Sequence, residues 1–236
     1  MTDNPLNYYL IPGLGADHRL FTHFDLKYGV VHYLDWMPHG NCETLSEYAA
    51  LMAERVTTDN NVLVGVSMGG MVAVELSKIV KPLATVLVSA PAGRREFPPV
   101  LKAFHNVRLH RLLKPAQIVR LTKMADFFMG LKTPEQRALF HDMLKGNRPD
   151  FLQFSINAVL GWKNLEPPVG SFMQIIGSDD KLFSSSKMNN PVIIPESGHF
   201  AVFEKGREVS EIINDFVKEK ILPQLQRNHI TGVQEP

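Results

Sequence analysis

Gly65-Val66-Ser67-Met68-Gly69 sets one hydroxyl between two glycines, where the apolar, β-branched run Asn61–Val66 gives way to residues at helical spacing. A G-x-S-x-G turn from strand to helix is sharp, and it lifts the serine hydroxyl clear of the sheet. Glycine on either side removes side chains that would collide with the neighbouring strand and helix. A serine in such a turn is a candidate nucleophile, and its backbone is expected in a sparsely populated region. The hydroxyl attacks only if a base takes its proton, and the base needs an acid to orient it. Attack on a carbonyl also builds negative charge on oxygen, which calls for two N–H donors already aimed at it. With 9 histidines and 24 acidic residues in the chain, residue type decides nothing, and position relative to the elements must decide.

The elements are legible as six short apolar runs: Asn7–Ile11, Val30–Trp36, Asn61–Val66, Ala84–Ala90, Ser171–Gly177 and Pro191–Pro195. Most are continuous rather than alternating, as in parallel strands buried on both faces. Between them lie segments with helical period. After Thr44, residues Leu45, Tyr48, Leu51, Met52 and Val56 share one side, and Thr44 with Glu47 forms a capping box. Further helices are predicted from Met68 to Val80 and from Gly206 to Leu225. Alternating strands and helices predict an α/β fold, a three-layer αβα sandwich around a six-stranded, mainly parallel sheet.

Between Pro91 and Gly170 there are only helix-like segments, with Pro115, Pro134 and Pro149 at helix starts. This block reads as a helical cap inserted between two core strands. The predicted organisation is therefore a core of residues 1–90 and 171–228, a cap of 91–170, and a loose tail of 229–236.

The 236 residues suffice to bury a core without staples, and a single cysteine, Cys42, excludes an internal disulfide. The formal net charge of +1 gives no reason to propose nucleic acid or an anionic membrane as partner. No apolar run reaches the length of a bilayer span, and the start MTDNPLNYYLIPG lacks a signal-peptide pattern, so a cytoplasmic protein is predicted. Gly13-Leu14-Gly15 follows the first strand as a phosphate loop would, but His18 stands where a dinucleotide fingerprint needs its third glycine.

Gly65 to Gly70 resembles the nucleophile elbow of the α/β-hydrolase fold family, with Ser67 in the nucleophile's place. The chain lacks the family's usual first two strands. The family's chain order of serine, acid and histidine then implies two further assignments. Counting from Gly177 along FMQIIGSDDKLF gives Asp180 as the acid, with Asp179 a capping or solvated neighbour. PESGHFAVFEK after the last strand implies His199 as the base. The resemblance further implies an oxyanion hole from the backbone N–H groups of Met68 and Leu14, with Pro12 replacing a histidine that often braces the loop. It implies hydrolysis of a small-molecule carboxylic ester through an acyl-enzyme on Ser67, with no metal or organic cofactor. Lactone, thioester or C–C bond cleavage by the same residues, or a non-catalytic ligand-binding role, are the alternatives. Phe127, Phe128, Trp162 and Phe200 are candidate substrate-pocket residues, and no oligomeric state is implied.

Overall fold

The computed structural model describes residues 5–107 and 122–231. All six predicted strands are present: β1 (Leu6–Ile11), β2 (Gly29–Tyr33), β3 (Asn61–Val66), β4 (Ala84–Val88), β5 (Ser171–Gly177) and β6 (Val192–Ile194). They form one sheet in the order β2-β1-β3-β4-β5-β6, and every pairing is parallel. The register sets Tyr8 between Val31 and Val62, and Val86 between Val64 and Met173.

Alternation along the strands sorts side chains into two cores. Tyr9, Ile11, Leu63, Leu87 and Ile176 join one, with the helices α1 (Leu45–Ala53) and α2 (Met68–Val80). Tyr8, Leu10, Val62, Val64, Val86 and Ile175 join the other, with Val209 and Ile213 of α8 (Gly206–Phe216). Because both faces are covered, the strands read as continuous apolar runs. The exceptions are the edge strands: β6, where Val192 and Ile193 are exposed, and β2, where Val30 and Tyr33 are about half exposed. Strand β2 ends at Tyr33 rather than Trp36 because β1 stops at Pro12, which has no N–H to continue the ladder. Past that point the Leu34 N–H still reaches the Leu10 carbonyl at 2.9 Å.

The capping box of Thr44 and Glu47 starts α1 as expected, and the helix closes at Ala53, short of Val56. Between β4 and β5 lie α3 (Pro99–Val107), α4 (Thr122–Met129), α5 (Pro134–Gly146) and α6 (Pro149–Gly161). Pro134 and Pro149 occupy first helical positions, and a second capping box, Thr133 with Gln136, opens α5. Pro115 lies outside the described residues. Among the contacts of these helices with the core, Phe151 and Phe154 meet Tyr48 of α1, and Phe140 meets Phe200 edge-on.

The C-terminal part comprises α7 (Ala201–Glu204), α8, a π-helical turn (Val217–Ile221) and α9 (Leu222–Thr231). Helix therefore extends past Leu225 to Thr231, and residues 232–236 lie outside the described ones. Among the described residues no helix is long and apolar enough to cross a membrane.

Candidate active site

The chain leaves β1 for the edge strand β2 and returns through α1 to β3 on the other side of β1. Strand order reverses there, so the loops leaving the C-terminal ends of β1 and β3 diverge and open a crevice. Ser67 stands at the end of β3 and opens α2 with φ 53° and ψ −117°, a left-handed backbone that a side-chain-bearing residue adopts only under strain. Crowding enforces the turn. A β-carbon on Gly65 would strike the Gly69 carbonyl, and one on Gly69 would strike the carbonyls of Ile11 and Pro12. The Ser67 N–H is tied to the Val88 carbonyl at 3.0 Å, which anchors the strained residue to β4.

Two other loops meet it. His199, in the loop after β6, places Nε2 2.9 Å from Ser67 Oγ, and its Nδ1 lies 2.8 Å from Asp180 Oδ2 in the turn after β5. The imidazole is 2 % exposed and the Asp180 carboxylate is wholly buried. Burial alone would raise the Asp180 carboxyl. The charge and hydrogen bond of His199, with the N–H groups of Phe183 and Leu182 on Oδ1, outweigh burial and hold it below the usual carboxylate range. Asp180 therefore caps its own turn with one oxygen and faces His199 with the other. Asp179 is exposed and accepts a hydrogen bond from Ser178 Oγ.

The two loops brace one another. Asp179 N–H donates to the Ser197 carbonyl, and Glu196 N–H donates to Ser178 Oγ. Glu204, a nearly buried carboxylate on α7, accepts from Ser197 Oγ at 2.8 Å and from the Gly198 N–H at 3.2 Å. The segment between β4 and β5 also grips this loop, through Phe200 N–H to the Met129 carbonyl at the end of α4 and Lys132 Nζ, between α4 and α5, to the Glu196 carbonyl. No spacing in the sequence marks Glu204 for this position.

The backbone of Gly13 lies against Ser67, since a β-carbon there would sit 3.5 Å from Ser67 Cβ. Leu14 and Met68 line the same cavity as Ser67. As the first residue of α2, Met68 has no carbonyl four residues back within the helix to receive its N–H. The helix terminus there also favours negative charge.

The cavity measures about 270 Å³. Apart from Ser67 and His199, its described walls are apolar. Leu20, Phe140, Leu144 and Phe200 belong to the core on one side of the sheet, and Met71, Val159 and Phe183 to the core on the other. Of the four aromatics expected in the pocket, only Phe200 lines it. Phe127 is 60 % exposed, with the Lys181 ammonium 3.6 Å from its ring centroid, and Phe128 meets it edge-on. Residues two apart on a helix point about 200° apart, so α4 turns Met129, not Phe127, into the cavity. Trp162 is buried elsewhere, its indole N–H donating to Glu75 Oε1 at 2.6 Å. Met129, Phe140, Leu144 and Phe183 replace these three as wall residues. Among the described residues no group of three or more His, Cys, Asp or Glu side chains could hold a metal ion.

The model of the alpha/beta hydrolase family matches residues 7–212. A comparison with curated proteins finds no match in sequence. Among solved structures, a thermophilic esterase superposes with TM-score 0.67 at 23 % identity, over 93 % of this chain and 92 % of its own. A type II thioesterase of the yersiniabactin pathway gives 0.64 at 18 %, over 93 % and 94 %. The enol-lactonase of Burkholderia xenovorans gives 0.68 at 16 %, over 92 % of each chain. At these identities the likeness speaks for the fold.

Proposed function

From the premise that the chain belongs to the alpha/beta hydrolase family, we propose that it is a serine hydrolase cleaving small carboxylic esters with an uncharged, apolar acyl group. His199 Nε2 takes the proton of Ser67 Oγ as the hydroxyl attacks the ester carbonyl. Asp180 holds the imidazole by Nδ1 and stabilises its charged form. The N–H groups of Leu14 and Met68 receive the oxyanion. His199 then returns the proton to the leaving alcohol, and water, deprotonated by His199, releases the acid from Ser67. The described helices α3, α4, α5 and α6 act as a cap that closes the cavity over the serine.

The observation that carries this reading is the hydrogen-bonded series Ser67, His199 and Asp180, at 2.9 and 2.8 Å, with the latter two side chains buried and the strained serine opening into an apolar cavity. The cavity size favours a small substrate, since drug-sized ligands occupy pockets of roughly 300–1,000 Å³. The absence of a cation from the described walls disfavours an anionic acyl group.

A thioester or lactone is the second reading, favoured by the structural likeness to a type II thioesterase and an enol-lactonase. The same residues would serve, with a thiolate or a tethered alkoxide leaving. Parallel turnover of matched oxygen esters, thioesters and lactones, by wild type and by Ser67→Ala, tests both. Turnover of oxygen esters that vanishes in Ser67→Ala supports the first reading. Turnover confined to thioesters or lactones replaces it with the second, and turnover by Ser67→Ala contradicts both.

A further inference from the structure

Position 12 is proline, which offers no group to brace the loop after β1. We infer that Trp36, from the loop after β2, is the positioning residue that aims the Leu14 N–H into the cavity. This rests on the proposed role of Leu14 as an oxyanion donor.

The Trp36 indole N–H donates to the Gly13 carbonyl at 3.0 Å. The Gly13 carbonyl and the Leu14 N–H belong to one planar peptide unit, in which a trans bond points them in opposite directions. No cis peptide occurs among the described residues. Holding the carbonyl on the Trp36 side therefore turns the N–H to the far side. Gly13 packs on Ser67, and Leu14 lines the cavity, so the far side is the cavity. The turn is closed by Ala16 N–H on the same Gly13 carbonyl at 3.1 Å. Beyond Leu14, the Gly15 carbonyl is held by Asn147 Nδ2 at 3.1 Å. Leu14 is thus fixed between two anchored carbonyls.

Trp36 is itself immobilised. Its ring packs 5.6 Å from that of Phe151 and 6.1 Å from that of Tyr48. Tyr48 Oη accepts from the Met37 N–H and donates to the Met37 carbonyl, at 3.0 and 2.9 Å. Arg55 Nη1 holds the Asp35 carbonyl at 2.7 Å. The Asp35 carboxylate in turn accepts the His18 N–H and meets His18 Nδ1, tying down the other end of the β1 loop. The loop after β2 is the template on which the donor loop is set.

Trp36→Phe keeps an aromatic ring against Tyr48 and Phe151 and removes the N–H donor together with one ring of the indole. Deleting an oxyanion donor outright costs about 100- to 1,000-fold in kcat, and a single bracing hydrogen bond is worth about fivefold. A loosened but present donor should fall between these, at about 10-fold in kcat with KM within about twofold. A trifluoromethyl ketone, which forms a tetrahedral adduct with serine and places an oxyanion on the same donors, should bind more weakly by the factor lost in kcat/KM. An unchanged kcat in the folded variant overturns the inference. So does a lowered kcat with ketone affinity unchanged, because a merely structural residue would give that pattern. Should Trp36→Phe not fold, Trp36→benzothienylalanine keeps the ring shape and deletes the same N–H. A wild type that neither cleaves esters nor binds the ketone overturns the hydrolytic reading, and the brace with it. An active wild type with an unaffected variant overturns the brace alone.

Discussion

Lengthening the acyl chain of a p-nitrophenyl ester by one methylene should raise kcat/KM about fourfold, until the cavity is full. Each buried methylene contributes about 0.8 kcal/mol, and about 1.4 kcal/mol is a factor of ten. From acetate to hexanoate, four methylenes amount to roughly 3 kcal/mol, or about 200-fold. The estimate assumes that each methylene leaves water completely, which the apolar walls of Leu20, Phe140, Leu144 and Phe183 allow. The volume of about 270 Å³ sets the other end of the series, and kcat/KM should level and then fall for long chains. Phe140→Ala widens the side of the cavity facing α5 and should move that maximum to longer chains. A hemisuccinate ester replaces the terminal methyl of butyrate with a carboxylate, and the described wall offers no lysine or arginine to pair with it. Stripping it of water unpaired should lower kcat/KM at least about 100-fold relative to butyrate. Initial rates at substrate concentrations far below KM, followed at the nitrophenolate absorbance, measure the series. A flat dependence on chain length, or a preference for the hemisuccinate, would refute the apolar acyl site.

Asp180→Asn should lower kcat by about three to four orders of magnitude with KM little changed, as steady-state kinetics would record. Its folded-state carboxyl is held below the usual range, so the group stabilises the fold above the unfolded carboxylate range, and that contribution is lost as pH falls through the folded value. The variant should therefore show a flatter loss of Tm on acidification than wild type. Glu204→Ala strips acceptors from the buried Ser197 hydroxyl and the Gly198 N–H, which should cost about 3 kcal/mol and lower Tm by about 6–12 °C for a chain of this size, with kcat reduced as well. A Tm within experimental error of wild type would contradict the bracing of the His199 loop. Trp162→Phe leaves the nearly buried Glu75 without its indole donor and should cost about 2 kcal/mol, or about 4–8 °C in Tm, while leaving the ranking of acyl lengths unchanged. A changed ranking would return Trp162 to the substrate site.

The strands were legible because a parallel sheet covered on both faces needs unbroken apolar runs, and glycine, proline and serine bound each run. Ser67, Asp180 and His199 were assigned because their places after β3, β5 and β6 match the chain order that the resemblance implies, and the three side chains lie within hydrogen-bond distance of one another. The choice of Asp180 over Asp179 came from counting from Gly177 in the same pattern, and Asp179 lies exposed. The pocket walls were not legible. Which face of α4 meets the cavity depends on how the helix packs, and a turn of 200° separates Phe127 from Met129. Trp162 was misassigned because its partner, Glu75, lies 87 residues away on α2. Trp36 escaped notice for a related reason: its hydrogen bond spans 23 residues between two loops that only the parallel pairing of β1 and β2 brings together.

The central claim is that Ser67 is an activated nucleophile. Intact-mass spectrometry after exposure to a fluorophosphonate measures this directly, with wild type and Ser67→Ala side by side. The account predicts one adduct per wild-type chain, mapped to Ser67, and none on the folded variant. A folded wild type that stays unlabelled, or a variant that labels equally, would contradict it.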